Sequence, residues 1–582
     1  MLPPELVERI DAWIAADPDP VTAAAAQDLL EKAAADDLTA VAELTDAFSG
    51  PLEFGTAGLR GPLGAGPARM NRVVVSRAAA GLAAHLLRSP SSGTGRSPVR
   101  RVEGNPHPPK GRVLIGYDAR YNSEVFATDT AEILAAQGFE AILTSHPVPT
   151  PVVAFGIRWL GCVAAVVVTA SHNPPQDNGY KVYLGDGSQI VPPADADIAA
   201  EIRAVERIPV TELPRSQNFR RIASELLEAY AERVAQLVSA DAPREVSWVY
   251  TPLHGVGGAV MHDVIARAGF PAPVEVNEQA QPDPAFPTVS FPNPEEPGAI
   301  DLALAAAAAN QVDLVIANDP DADRCAVAIP APDAPTGFRM LHGDELGALL
   351  ADDFCRRGVH GVYANSVVSG SLLHKVAAAY GQPSAVTLTG FKWIGRVPGL
   401  AFGYEEAIGY CCDPEAVADK DGISTLVTVL ALAARLRADG SSIGERLDEL
   451  ARTHGVHLNS QWSVRVQDLS LITDAMARLR SAPPRELCGA PVEVVDLAEG
   501  WAPSTGSGTT STGSGNALPP TDGVRLAGPA VTATVRPSGT EPKLKCYLEV
   551  RLDPTPDLAR ARAEARALQE RLLTELRASL QL

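Results

Sequence analysis

Residues 162–174 read CVAAVVVTASHNP, and their unbroken apolar run predicts a strand that is buried on both faces of a parallel sheet. The run ends at Ser171 and His172. Open α/β sheets bind their ligands outside the carboxyl ends of the strands, so a nucleophile would be useful at this point. On this stretch alone, the alternative that Ser, His, Asn and Pro only form a turn stays open.

Similar strand patterns occur on both sides of this stretch, where short β-branched runs alternate with amphipathic stretches along the chain. Such runs occur at residues 113–118 (VLIGYD), 246–255 (VSWVYTPLHG) and 361–369 (GVYANSVVS). This pattern is typical of parallel α/β units, and a chain of 582 residues has room for about three to five domains. The predicted segments are a helical lead-in over residues 1–50, followed by domains at 51–215, 216–335, 336–455 and 456–582.

Composition restricts the class of protein. Hydrophobic residues make up 46% of the chain and charged residues 20%, which indicates a globular protein. The formal net charge of −21 disfavours binding to nucleic acid or to an anionic membrane. The seven cysteines lack metal spacing and predict reduced, mostly buried thiols. No long apolar run or targeting pattern is evident, so we expect a cytoplasmic protein without a membrane span.

Three other stretches have structural interpretations. Residues 89–111 and 502–516 are rich in Pro, Gly, Ser and Thr, and we expect both to be disordered surface loops. Residues 440–444 (GSSIG) match a nucleophile-elbow pattern but follow a helical run, so we interpret Gly440 as a helix end. Residues 556–582 alternate charge with Leu and Ala and predict a surface helix.

A cluster of carboxylates lies in residues 312–329 (VDLVIANDPDADRCAVAI). Asp319, Asp321 and Asp323 have a spacing of two, and on an extended backbone their side chains would point to one side. Three converging carboxylates repel one another unless a cation lies among them, which favours a hard divalent ion. A calcium EF-hand is excluded because Arg324 and Pro330 stand where that loop needs Gly and Glu. Magnesium fits better, with a further ligand of phosphate character, and Arg324 helps to offset the surplus charge.

Three further stretches combine polar groups with glycine. In residues 534–550 (TVRPSGTEPKLKCYLEV), hydroxyls, a flexible backbone and cations indicate a clamp for a phosphate dianion. Residues 402–410 (FGYEEAIGY) and 389–395 (TGFKWIG) could offer carboxylates and a lysine to sugar hydroxyls, but on these residues alone a solvated loop is the default interpretation. In residues 54–61 (FGTAGLRG), Arg60 lies in a Gly-rich bend. The candidate residues of the phosphate clamp are Arg536, Ser538, Gly539, Thr540 and Lys543. The candidate residues for contact with the sugar are Glu405, Glu406 and Lys392.

In this order, the stretches TASHNP, DPDADR, GYEEAIGY and RPSGTEPK resemble the four signature loops of the α-D-phosphohexomutase superfamily, which includes phosphoglucomutases and phosphomannomutases. The resemblance runs from about Phe54 to Val550. It implies an α/β fold in which three similar α/β domains and a smaller C-terminal α+β domain surround a central cleft. Those domains would supply, in chain order, the phosphoserine, the metal site, the sugar loop and the phosphate loop.

The resemblance also implies a role for each candidate residue. Ser171 would be the phosphoserine. Arg60 and Lys181 would be basic residues that assist proton transfer, and His172 a further catalytic group. The three aspartates and a phosphoserine oxygen would hold one Mg²⁺. Arg324, Lys392 and the glutamate pair would contact the substrate, and the residues at 536–543 would hold the phosphate that is not transferred.

The implied reaction interconverts hexose 1-phosphate and hexose 6-phosphate, with glucose or mannose as the sugar. A sugar 1,6-bisphosphate would serve as intermediate and activator, in a monomer or homodimer. The subgroup resembles phosphoglucomutase-2-like and phosphopentomutase enzymes, and Tyr404 and Ala407 depart from the glucose-type loop GEES. A phosphopentomutase, a sugar-bisphosphate synthase and a non-catalytic sugar-phosphate sensor are the alternatives. A phosphatase is disfavoured by the separate clamp and sugar loop.

Overall fold

The computed structural model describes residues 2–55, 58–88, 110–501, 518–538 and 543–582. The chain forms two compact units. The first consists of Met1–Ser239, Ser247–Cys325 and Glu415–Val427, and the second of Ala240–Val246, Ala326–Pro414 and Thr428–Leu582. Most of both predicted loops, at residues 89–109 and 502–517, lies outside the described residues.

The first unit opens with three helices and continues with alternating strands and helices. Its helices are α1 (Pro4–Ala16), α2 (Pro20–Ala34), α3 (Leu38–Ala47), α4 (Arg72–Arg88), α5 (Ser123–Ala136), α6 (Thr150–Leu160), α7 (Ala194–Val205), α8 (Ser224–Ala235), α9 (Gly257–Ala268) and α10 (Asp301–Asn310). Its strands are β1 (Leu59–Pro62), β2 (Arg112–Tyr117), β3 (Glu140–Thr144), β4 (Ala164–Val168), β5 (Asp177–Leu184), β6 (Arg220–Ile222), β7 (Trp248–Thr251), β8 (Val274–Glu275) and β9 (Leu314–Asn318).

Local signals explain where several of these helices begin and end. The side chain of Asp19 accepts a hydrogen bond from the Val21 amide and so caps α2, which begins with Pro20. Helix α6 ends at Gly161, whose φ of 66° closes the last turn. The five residues of β4 are all buried, as the apolar run predicts.

The main sheet of the first unit has the strand order β1-β5-β4-β2-β3-β6. Strand β2 pairs in parallel with β3 on one side and with β4 on the other. The chain therefore adds β3 on one side of β2 and then crosses over to add β4 on the other side. At such a switch point the loops after two neighbouring parallel strands diverge and leave a crevice. Ser171, three residues beyond the end of β4, lies at that crevice.

The other strands of the first unit position the basic residues Lys181 and Arg60 and the three aspartates. Strand β5 runs antiparallel to β4, which sets Lys181 opposite Val167, and β1 runs antiparallel to β5, which sets Arg60 opposite Gly179. Strand β7 pairs in parallel with β8 and β9. The aspartate stretch begins directly after β9.

The second unit contains the remaining elements, of which β10 and α14 begin in the first. Its first half has β10 (Cys325–Pro330), β11 (Phe338–Met340), α11 (Gly343–Arg356), β12 (Val362–Ser366), α12 (Leu372–Ala379), β13 (Ser384–Thr387), α13 (Phe391–Ile394), β14 (Leu400–Glu405), β15 (Gly409–Cys411), α14 (Gly422–Ala438) and α15 (Ile443–His454). Its second half has β16 (Val456–Arg465), α16 (Ser470–Ser481), β17 (Glu486–Leu487), β18 (Ala490–Pro491), β19 (Glu493–Asp496), β20 (Val524–Ala527), β21 (Val531–Pro537), β22 (Lys543–Leu552) and α17 (Leu558–Leu580).

Two sheets organise the second unit. One has the order β13-β12-β14-β15, with β12 parallel to β13 and β14. The other is antiparallel, in the order β16-β22-β21-β20-β19, and α16 and α17 pack on it around a core that includes Leu479, Leu544 and Leu576. Helix α17 confirms the helix predicted near the C-terminus.

Several smaller predictions can be compared with the structure. Helix α14 ends at Ala438 and Gly440 follows with a φ of 74°, which confirms the helix end predicted there. All seven cysteines are thiols, and all except the half-buried Cys488 are buried. Within the described ranges, no helix is both long and apolar enough to cross a membrane. The predicted domain boundaries stay a prediction.

Candidate active site

Ser171 is held in an unusual backbone conformation at the end of β4. Its φ is 53°, in the left-handed region that residues with a side chain seldom adopt. Its amide donates to Thr169 Oγ1 at 2.8 Å. Its hydroxyl is buried, donates to Asp319 Oδ2 at 2.8 Å and lies 3.0 Å from His172 Nδ1. The turn therefore brings one hydroxyl to both a carboxylate and an imidazole.

The three aspartates converge, but not for the reason that their spacing suggests. Residues 319–324 do not continue a strand; they form a turn in which Ala322 has a φ of 52° and donates its amide to Asp319 O at 2.8 Å. The turn, rather than an extended backbone, brings one oxygen of each carboxylate within 4.8 Å of the others. Convergence is confirmed, and the extended geometry is wrong.

This turn suits a hard cation. Asp319, Asp321 and Asp323 are all buried. Asp321 Oδ1 and Asp323 Oδ1 have no hydrogen-bond partner among the described residues. Burial and the neighbouring Asp321 raise the pKa of Asp319 well above its usual value. Buried carboxylate oxygens that repel one another and lack donors are the ligand set that a divalent cation such as Mg²⁺ stabilises.

Cationic side chains surround the carboxylates. Lys181 Nζ donates to Asp321 Oδ2 at 2.7 Å and to Asp323 Oδ2 at 3.0 Å. Lys420 Nζ lies 3.2 Å from Asp323 Oδ2, and Arg324 Nε lies 3.8 Å from Asp319 Oδ2. Burial alone would raise the pKa of Asp323, but Lys181 and Lys420 hold it below its usual value. The turn thus keeps negative charge in a dry environment.

His172 and Arg60 complete the surroundings of Ser171. Arg60 Nη1 donates to Asn173 Oδ1 at 3.2 Å. Burial, together with the charges of Arg324 and Arg60, lowers the pKa of His172 well below its usual value. The imidazole is therefore neutral near pH 7 and has a nitrogen that can accept a proton.

The predicted sugar-binding pair lies in the second unit, at the end of β14. Glu405 Oε1 accepts the Gly390 amide at 2.6 Å, next to the short helix α13 that carries Lys392. Glu406 Oε2 accepts from the hydroxyls of Ser366 at 3.1 Å and Ser369 at 2.9 Å. Burial, followed by repulsion from Glu405, raises the pKa of Glu406 to about 7. Both carboxylates are half-buried.

The predicted phosphate clamp lies where β21 and β22 meet. Arg536 is near the end of β21, Lys543 begins β22, and the Ser538 amide donates to Lys543 O at 2.7 Å. The paired strand ends therefore bring these three residues close together. Gly539 and Thr540 lie outside the described residues. Burial, followed by the charge of Glu406, raises the pKa of Tyr547 of β22 above its usual value, and the neighbouring Arg536 opposes this rise.

The structure adds residues that the sequence reasoning missed. Lys420, in a segment far along the chain from the aspartates, reaches them because a Cβ on Gly422 would lie 2.2 Å from the Arg324 carbonyl oxygen, so only glycine permits that approach. Thr150 Oγ1 donates to Asp321 Oδ2 at 2.6 Å. The sequence ADKDG around Lys420 offers a weak signal, but Thr150 has none.

Four family domains match this chain in order. They are the phosphoglucomutase/phosphomannomutase alpha/beta/alpha domain I at residues 51–208, domain II at 228–331, domain III at 342–454 and the C-terminal domain at 520–570. Together they account for the three α/β domains and the C-terminal domain that the resemblance implies.

Relatives of known name agree with this match. A Haemophilus influenzae protein named "Probable phosphomannomutase" is 43% identical over 85% of this chain and 96% of its own length. The human phosphopentomutase is 32% identical over 87% of this chain and 86% of its own. A Staphylococcus epidermidis phosphoglucomutase is 31% identical over 88% and 93%.

A solved structure shares the fold. The crystal structure of a phosphoglucomutase/phosphomannomutase family protein from Burkholderia thailandensis superposes with a TM-score of 0.66 at 19% identity, covering 90% of this chain and 97% of that one. The chain therefore belongs to the phosphoglucomutase/phosphomannomutase family and is a phosphosugar mutase, an isomerase that transfers a phosphoryl group within a sugar phosphate.

Proposed function

We propose that this mutase interconverts hexose 1-phosphate and hexose 6-phosphate, with glucose or mannose as the sugar, through a phosphorylated Ser171 and a sugar bisphosphate. The observation that carries the proposal is the hydrogen bond from Ser171 Oγ to Asp319 Oδ2, because it joins the hydroxyl to the carboxylate turn. One Mg²⁺ held by Asp319, Asp321 and Asp323 would supply electrostatic stabilisation of the transferring phosphoryl group.

The residues of the chain account for the two transfers. In the first, the bond between phosphorus and Ser171 Oγ breaks as phosphorus bonds to a free sugar hydroxyl, whose proton passes through His172 to the released Oγ. In the second, Oγ bonds to the other phosphoryl group of the reoriented bisphosphate, and the Oγ proton passes back through His172 to the sugar oxygen that is released. Arg60, Lys181 and Arg324 offset the charge on the phosphoryl oxygens.

Recognition falls to the second unit in this proposal. Glu405 and Glu406 accept hydrogen bonds from sugar hydroxyls, and Lys392 adds a cation beside them. Arg536, Ser538, Gly539, Thr540 and Lys543 hold the phosphate that is not transferred. A substrate that presents each end in turn to one serine needs such a second anchor.

A pentose phosphate is the second candidate substrate, because phosphopentomutases are among the similar proteins. The departure at Tyr404 does not decide between them: Tyr404 is fully buried and its hydroxyl donates to Asp344 Oδ1 at 2.8 Å, so the ring is part of the core. Cytoplasmic location and a monomeric or dimeric state stay predictions.

The test is an assay of the purified protein with Mg²⁺ and a trace of glucose 1,6-bisphosphate. Glucose 1-phosphate, mannose 1-phosphate and ribose 1-phosphate are offered in parallel. The hexose proposal expects fastest turnover of one of the two hexose phosphates and none in Ser171→Ala. Ser76→Ala is the matched control, because Ser76 is also buried in the first unit but bonds to Arg215.

Each outcome decides one part of the proposal. Fastest turnover of ribose 1-phosphate would replace the hexose by a pentose and leave the phosphoserine in place. Full activity in Ser171→Ala would remove the phosphoserine from the mechanism. A bisphosphate that accumulates as the main product would favour a synthase.

A further inference from the structure

Arg120 lies beneath the Ser171 turn because of the order of the strands. It follows β2, which is the parallel neighbour of β4, and the register pairs Tyr117 with Val168. The Asp118 amide continues this pairing, donating to Val168 O at 3.1 Å. The residues just after β2 are thereby set beside the turn that follows β4. The side chain of Arg120 is 1% exposed.

The guanidinium donates hydrogen bonds to four backbone carbonyls of the turn. Arg120 Nη2 donates to Ser171 O at 2.6 Å and to Asn173 O at 2.5 Å. Arg120 Nη1 donates to Pro174 O at 2.8 Å and to Asp177 O at 3.2 Å. One side chain thus binds most of the backbone between the nucleophile and the start of β5.

A carboxylate and an aromatic ring enclose the rest of the Arg120 side chain. Nε of Arg120 lies 3.3 Å from Asp118 Oδ2, and the Phe286 ring covers the guanidinium with its centroid 4.8 Å away. An arginine has five N–H donors. Four are directed at carbonyls. The fifth, on the buried Nε, has no hydrogen-bond partner among the described residues but lies at ion-pair distance from Asp118, so protein groups enclose the whole guanidinium. Arg120 therefore acts on the reaction through the turn.

The contact to Ser171 fixes the direction of one peptide group. A trans peptide sets its C=O and N–H on opposite sides. With Ser171 O directed at Arg120, the His172 N–H points away from the guanidinium. The same contact holds Ser171 in its left-handed conformation, which the serine would not favour by itself.

We propose that Arg120 is a positioning residue for phosphoryl transfer: it holds the backbone of residues 171–177 so that Ser171 Oγ faces the aspartate turn. This inference rests on the proposed role of Ser171 as the phosphorylated residue. Loss of the four carbonyl contacts lets Ser171 Oγ move relative to the aspartates. A misplacement of about 1 Å at a reacting group can lower a rate by about 100-fold.

The test compares Arg120→Lys with Arg72→Lys. Arg72 is a matched control, because it donates from Nε and Nη2 to the buried Asp129 in the same unit, both at 2.7 Å. We expect Arg120→Lys to lower kcat by about 100-fold with KM changed less than about threefold, because recognition is assigned to other residues. Arg72→Lys should lower the thermal midpoint while kcat is retained.

A second readout does not depend on turnover. Amide hydrogen exchange of peptides covering residues 169–178 should be about tenfold faster in Arg120→Lys than in the wild type, and unchanged in Arg72→Lys. If Arg120→Lys does not fold, Phe286→Leu keeps the arginine but removes the ring that covers it. That variant should show a smaller change in the same direction in both kcat and exchange.

The outcomes separate the two proposals. A kcat within about threefold of the wild type in folded Arg120→Lys, or an equal loss in Arg72→Lys, would overturn the positioning role. Unchanged exchange at residues 169–178 would also overturn it. If the wild type isomerises no sugar phosphate but exchange responds as expected, the proposed function fails while the structural role of Arg120 stands.

Discussion

The Ser171 region of the first unit and the Glu406 region of the second differ in how fully their polar groups are enclosed. Ser171 and the three aspartates are almost completely buried, and the Lys181 that donates to Asp321 is buried as well. Glu405, Glu406, Arg536 and Lys543 are only half-buried. Electrostatic stabilisation works best when dipoles and charges are fixed before reaction, whereas recognition needs groups that a ligand can reach. The contrast supports the proposal, which places chemistry in the first region and recognition in the second.

The largest expected effect is the loss of the carboxylate turn. Asp321→Asn should lower kcat at least about a thousandfold, because a cation can no longer be held where the phosphoryl group transfers. Wild-type protein should gain thermal stability on addition of Mg²⁺, and Asp321→Asn should gain little. Asp344→Asn, a buried aspartate of the second unit, is the control. An equal Mg²⁺ response in Asp321→Asn would contradict the assignment.

Removal of the buried lysine should affect both stability and rate. Lys181→Met leaves Asp321 and Asp323 without their shared donor, and the loss of one partner of a buried ion pair costs about 3–5 kcal/mol. Denaturant unfolding without added metal measures this effect. Mg²⁺ should restore part of the stability, because it replaces positive charge between the carboxylates. We expect kcat to fall about 100-fold even with Mg²⁺ present. A Lys181→Met protein with normal kcat would show that the lysine is structural.

In the second unit the effects should fall mainly on KM. Glu406→Gln should raise KM about tenfold with little change in kcat, because one charged acceptor for a sugar hydroxyl is lost. Glu445→Gln, at an exposed glutamate of α15, is the control. A loss confined to kcat would move Glu406 from recognition to chemistry.

The pKa of Glu406 gives this comparison a pH signature. Burial and Glu405 raise that pKa to about 7, so the carboxyl takes up a proton as pH falls through 7. Wild-type KM should therefore rise between pH 7.5 and about 6, and Glu406→Gln should lack this rise. For stability the sign is opposite. Because the folded state holds a proton that the unfolded state releases near pH 4.3, stability declines as pH rises from about 4.3 to 7. KM and thermal midpoints measured against pH check both.

The smallest expected effect is at the strand ends that carry Arg536 and Lys543, where the proposal places the second phosphate. Tyr547→Phe removes the hydroxyl that interacts with Arg536 but keeps the guanidinium, so we expect a loss of about 1 kcal/mol or less. KM should rise about twofold to fivefold, with kcat unchanged. Initial rates against sugar phosphate concentration measure it. A tenfold loss of kcat would show that this turn takes part in chemistry.

Local patterns in the sequence predicted the buried strand before Ser171, the helical lead-in, the C-terminal helix and the convergence of the aspartates. These features are local, because an apolar run, a cap or a repeated carboxylate predicts the structure of the few residues that contain it. The spacing of the aspartates predicted convergence for the wrong reason, since the chain turns where it was expected to be extended. A left-handed Ala322 is not a signal that a sequence pattern provides.

The amino-acid sequence alone determined the four motifs, their order and hence the family. Only the tertiary structure brought Lys420 to Asp323, Thr150 to Asp321 and Arg120 to the carbonyls of the Ser171 turn. Each of these contacts joins residues from separate strands and loops, and strand order and register decide which loops become neighbours. An arginine after one strand and a serine after another have no local sign of their contact. For Arg120 and Ser171, the physical reason is that β2 and β4, which are distant in the chain, are adjacent in the sheet.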